Sequence, residues 1–129
     1  MNMDRGNQTD KTIISLPIAG REVLYRSKRT RVVRLWLPKE SGSVILKEPL
    51  GQAAVSKLRH ELEILKRLVE VKFVSHLASI TPPHDAIALV DNGGVTLAQT
   101  IHSEGLDVST AIKIASQLSN IVSAVHRCG

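Results

Sequence analysis

The chain is 129 residues long and 14.1 kDa, room for one domain at most. Its 43% apolar and 22% charged residues exclude a disordered chain, and its one cysteine, Cys128, excludes an internal disulfide framework. The net charge of +5 is uneven: residues 1–72 hold fifteen Lys and Arg against eight Asp and Glu, residues 73–129 two against four. The basic first half suits an anionic partner such as nucleotide phosphates, nucleic acid or an acidic protein face.

Residues 1–11 are polar, mix acids with bases and lack periodicity, which predicts a loose tail rather than a secretory signal. Three β-like runs follow, Ile18–Arg26, Val32–Leu37 and Ser43–Glu48, separated by the short polar connections Ser27–Arg31 and Pro38–Gly42. Two short connections between three consecutive strands imply an antiparallel meander. From Gln52 to Glu70, Val55, Leu58, Leu62, Leu65 and Val69 recur at three- and four-residue steps, the stripe of an amphipathic helix. Val71–Ile80 reads as a short strand or extended segment, and Thr81-Pro82-Pro83-His84 stops it. Ala86–Val90 is a further short strand, followed by Asp91-Asn92-Gly93-Gly94. Two helices close the chain: a short one over Thr96–His102, and a long one capped by Asp107 and running to about Arg127. The longest apolar stretches are about five residues, against roughly 20 for a membrane-spanning helix, so no membrane partner and a cytoplasmic location are expected.

The residue types with chemistry concentrate at Val44-Ile45-Leu46-Lys47. A lysine at the end of an apolar strand either snorkels to solvent or places its ammonium in a cleft. Glu61 lies three residues after Leu58 and four before Leu65, at the rim of the helical stripe, where its carboxylate can reach towards the strand of Lys47. A Lys47–Glu61 pair would fix the ammonium for phosphate oxygens; the alternative is a local helical pair of Glu61 with Lys57. His60, His76, His84, His102 and His126 are scattered, and no Cys/His spacing fits a metal, so no metal site is expected.

Three strands with Val-Ile-Leu-Lys, a helix with Glu61, Leu65 and Leu68, two further strands, Gly93-Gly94 and a long helix ending Val-His-Arg-Cys-Gly resemble the first half of a protein kinase domain. The wording GREVLYRS, WLPKESGSVILKEPL and LRHELEILKRL resembles the Ser/Thr kinase-like domain at the head of bacterial multidomain signalling proteins that continue into ATPase and sensor histidine kinase modules. The resemblance spans residues 16–129. It implies an α+β fold: a kinase-like N-lobe over 16–90, with an antiparallel sheet of about five strands and one C helix, after a flexible tail at 1–15. Residues 91–129 would be the hinge and the first two helices of the C-lobe.

By that resemblance Lys47 pairs the α- and β-phosphates of ATP and Glu61 is its partner. Val90, Asp91 and Asn92 form the hinge that meets the adenine edge, and Val33 (or Val32), Leu46 and Leu89 line the adenine pocket. Ser27, Lys28, Arg29, Thr30 and Arg31 stand where the family has its phosphate-covering loop, here without glycine. The catalytic His-Arg-Asp loop and the Mg²⁺-binding Asp-Phe-Gly are absent, His126-Arg127 being followed by Cys128. The resemblance thus implies the ATP-binding half of a signalling kinase, cut before the catalytic loop and inactive as a phosphotransferase by itself. Its partners would be nucleotide, the remainder of the kinase domain and the signalling modules beyond it.

Two other readings use the same residues. A pseudokinase-type regulatory interaction module would keep the lobe without turnover. A small basic nucleic-acid-binding protein would use Arg26, Lys28, Arg29, Arg31 and Arg34, although one Phe, one Trp and one Tyr leave almost no stacking surface. Ile112, Leu118, Ile121, Val122 and Val125 give the last helix an apolar side whose exposure would favour self-association.

Overall fold

A computed structural model describes residues 18–39 and 41–129; the expected N-terminal tail lies outside them. Strands β1 (Gly20–Arg26), β2 (Thr30–Trp36), β3 (Ser43–Pro49) and β4 (Ile87–Val90) form one antiparallel sheet in the order β1-β2-β3-β4. Helix α1 (Gln52–Arg67) connects β3 to the segment leading into β4, and α2 (Leu97–Glu104) and α3 (Val108–Arg127) follow. The meander forms because Val, Ile, Leu and Trp, which favour a pleated and half-buried backbone, dominate β2 and β3 between tight turns. A bulge at Leu24 shifts the register of β1 on β2 by one residue, from Val23 opposite Val33 to Tyr25 opposite Val32.

Among the described residues the sheet has four strands, not five. The expected strand at Val71–Ile80 contracts to one bridge, Leu77 to Leu89, with Ala78 N–H donating to Ala88 O and Val90 N–H to His76 O, both at 2.9 Å. Phe73 adopts a left-handed φ of 63°, which breaks the extended run before it can pair further. Helix α1 also stops three residues early, at Arg67. Leu68 and Val71 turn inward and are buried, and the Leu68 and Val71 N–H groups close tight turns on Leu65 O and Leu68 O.

The sheet is apolar on both faces, and the pleat decides which residues share a face. Val33, Leu35, Val44, Leu46, Ala86 and Ala88 form one cluster, covered by Leu37, Ala78 and Ile80. Ile87 packs with Leu58 and Leu65 of α1 on the other face, joined by Leu62, Leu77 and Leu89. Cross-strand partners share a face, so Val32, Lys47 and Ile87 lie on the α1 side, as do Arg34, Ile45 and Leu89.

The last two helices are well capped and sparsely covered. Thr96 and Gln99 form a reciprocal capping box at α2. Asp107 accepts the Thr110 N–H at 2.7 Å at the head of α3, which holds its carboxyl below the usual range. Neither helix has a fully buried residue. Ile112, Leu118 and Val122 are exposed as expected, whereas Ile121 and Val125 are half-buried.

Candidate functional site

The centre of the site is an ion pair between β3 and α1. The register places Lys47 beside Val32 and Ile87, pointing to the α1 face. Helical phase puts Glu61 next to the Leu58–Leu62–Leu65 stripe that packs there. Lys47 Nζ donates to both Glu61 oxygens at 2.8 Å. The side chains are 28% and 37% exposed, so the pair is anchored by the helix yet open to a solute. An ammonium with three donors keeps capacity for an incoming oxygen.

Around Lys47 the walls differ from those expected. Val33 and Leu46 are fully buried on the opposite face, among Val44, Ala86 and Ala88, and cannot line a pocket that Lys47 shares. Strand parity is the reason: Leu46 must point away from its neighbour Lys47, and its cross-strand partner Val33 goes with it. The apolar residues on Lys47's face are Val32, Ile45, Ile87 and Leu89, so Leu89 and, of the two valines offered, Val32 lie on the expected side, while Val33 and Leu46 do not.

The Ser27–Arg31 connection is a tight hairpin. Ser27 N–H donates to Thr30 O at 2.8 Å, and Ser27 Oγ accepts from the N–H groups of Arg29 at 3.2 Å and Thr30 at 3.0 Å. Those two N–H groups are the type a phosphate nest would offer, and the serine hydroxyl already occupies them. Arg31 lies on the Leu46 face and donates to Glu48 at 2.6 Å, while Arg21 reaches the same carboxylate at 3.1 Å. Lys28 and Arg29 remain as exposed side chains at the tip.

The expected hinge, Val90-Asp91-Asn92, holds a cluster that sequence reasoning missed. The Asp91 side chain is 3% exposed and accepts from Arg34 Nε at 2.6 Å, Ser43 Oγ at 2.7 Å and Gly93 N–H at 2.8 Å. Arg34 also reaches Glu22 at 3.5 Å. Asp91 thereby clasps β2, β3 and the turn after β4. The Arg34 hydrogen bond, helped by Ser43 and Gly93, lowers its carboxyl to about 2 against the opposing effect of burial. Arg34 stands on the half-covered face of β2 with Val32, alternating with the buried Val33 and Leu35, and no local pattern in the sequence names the acid it meets. Val90 N–H is taken by His76 O, and Asn92 is exposed.

Among the described residues no three His, Cys, Asp or Glu side chains cluster as a metal site, and no helix is long and apolar enough to cross a membrane. The chain matches no protein-family model, no curated protein and no solved structure.

Proposed function

We propose that this chain is a protein kinase-like signalling lobe in which Lys47, positioned by Glu61, receives the phosphates of ATP. The observation that carries the reading is the bidentate Lys47–Glu61 pair, formed between the third strand and the helix that follows it. The antiparallel order β1-β2-β3-β4, with Leu77 bridging the outer edge of β4, agrees with the same resemblance. The residues present fit the phosphate end of a nucleotide: one fixed ammonium that is open to solvent, with Val32, Ile45 and Leu89 as apolar surface on its face. ATP would supply the transferable phosphoryl group. Lys47 would orient its oxygens, and Glu61 would hold Lys47 extended. The catalytic base and Mg²⁺ ligands of the family are not among these 129 residues, so phosphoryl transfer is not assigned to this chain.

A second reading, a pseudokinase-type regulatory module, is favoured by the hairpin. Ser27 has capped the Arg29 and Thr30 N–H groups, and Glu48 and Asp91 have engaged Arg31 and Arg34. That leaves few donors to tighten the grip on phosphates beyond Lys47. In this reading nucleotide binds weakly and the lobe works through its contacts with other signalling domains.

Melting the wild-type chain and a Lys47→Ala variant with and without ATP tests the primary reading. ATP at about 100 times its Kd should stabilise the wild type by roughly 3 kcal/mol, seen as a rise in Tm, and should leave Lys47→Ala unmoved. No rise in either protein, or an equal rise in both, would contradict it.

A further inference from the structure

We propose that Tyr25 is a second phosphate-binding residue of the Lys47 site, its phenol donating to the phosphate oxygens that Lys47 holds. This role rests on the nucleotide reading above and adds a residue to it. The bulge at Leu24 is what aims the side chain. In an unbroken strand Tyr25 would share the face of Val23, two residues earlier, and so point away from Lys47. The extra residue reverses that parity. Val23 stands across from the buried Val33, whereas Tyr25 stands across from Val32. Tyr25, Val32, Lys47 and Ile87 therefore form one cross-strand row on the α1 face.

The row is covered at one end and open at the other. Ile87 packs beneath α1, where Glu61 holds Lys47, whereas Tyr25 is 59% exposed. Among the described residues the Tyr25 hydroxyl has no hydrogen-bond partner, so its donor is free for a ligand. Two strands apart, the Cα atoms of Tyr25 and Lys47 are about 10 Å from each other, a span that neighbouring phosphates bridge between phenol and ammonium.

The adjacent row says which part of a nucleotide comes here. It consists of Arg34, Ile45 and Leu89, and its one cation is already engaged by Asp91. An apolar base is matched by Ile45 and Leu89, and phosphates by Lys47 and Tyr25. The hairpin cannot supply the second donor through its backbone, because Ser27 Oγ takes the N–H groups of Arg29 and Thr30. A bulged strand that turns a phenol into the Lys47 row offers another.

Measuring the ATP affinity of the wild type, Tyr25→Phe and Lys47→Ala from the ATP-dependent rise in Tm tests the proposal. Tyr25→Phe keeps the ring of an exposed residue and should melt with the wild type when no ligand is present. It should bind ATP about tenfold more weakly, the order of magnitude of one hydrogen bond to a charged oxygen. The same factor should hold for dideoxy-ATP, which keeps the phosphates and lacks both ribose hydroxyls. If Tyr25→Phe binds ATP as tightly as the wild type while Lys47→Ala loses it, the role of Tyr25 is overturned and the Lys47 reading stands. A factor that vanishes with dideoxy-ATP would put the phenol on the ribose and overturn the role equally. A wild type that ATP does not stabilise would remove the nucleotide reading, and the role of Tyr25 with it.

Discussion

Replacing Asp91 with Ala should destabilise the chain by about 3 kcal/mol at neutral pH, because it strands a guanidinium that the fold has pulled inward. The Asp91 carboxylate is nearly sealed from water, and three groups from β2, β3 and the turn after β4 donate to it. Without it, Arg34 keeps only the long contact to the exposed Glu22. The same clasp gives the fold an acid limit. Asp91 titrates at about 2 when folded and at about 4 when unfolded, so the unfolded chain takes up its proton first as pH falls. The contribution of Asp91 is therefore complete above about pH 4 and is lost between about pH 4 and pH 2, roughly 2 kcal/mol in all. Urea melts across that range should show this decline in the wild type and not in Asp91→Ala. An Asp91→Ala variant as stable as the wild type at pH 7 would mean that the cluster contributes no net stability.

The second large effect belongs to the other face of the sheet. Leu46 is 1% exposed in the centre of β3, packed among Val33, Val44, Ala86 and Ala88. Leu46→Ala should cost about 3 kcal/mol, the transfer of the lost methyl groups plus the cavity they leave. Val69→Ala, at a residue 59% exposed, should change stability by less than about 0.5 kcal/mol. Because Leu46 lies on the face away from Lys47, its loss should act through stability alone. If instead Leu46→Ala folded normally and lost a ligand, the assignment of faces would be wrong.

How much of this was legible in the sequence depends on the scale of the signal. The meander, α1 and α3 carry their own periodicity, turn residues and caps, and the structure forms them close to the expected bounds. The Lys47–Glu61 contact was also readable, because the strand end and the helix rim are both fixed by the apolar pattern. The fifth strand was not. Val71–Ile80 is apolar enough to extend, but the turn at Phe73 leaves only Leu77 in register with Leu89. Assigning Val33 and Leu46 to the Lys47 pocket overlooked the two-residue pleat, which sends neighbours in a strand to opposite faces. The Asp91 clasp depends on Arg34, 57 residues away in sequence, and no local pattern names that partner.

Titrating ATP into methyl-labelled protein and following valine, leucine and isoleucine resonances reads out the proposed contact of a nucleotide with Lys47 on the α1 face of the sheet. Shifts are expected at Val32, Ile45 and Leu89, which share Lys47's face, with quiet resonances at Val33 and Leu46 on the opposite face and no response in Lys47→Ala. Shifts confined to the opposite face or to the exposed stripe of α3, or none at saturating ATP, would contradict it.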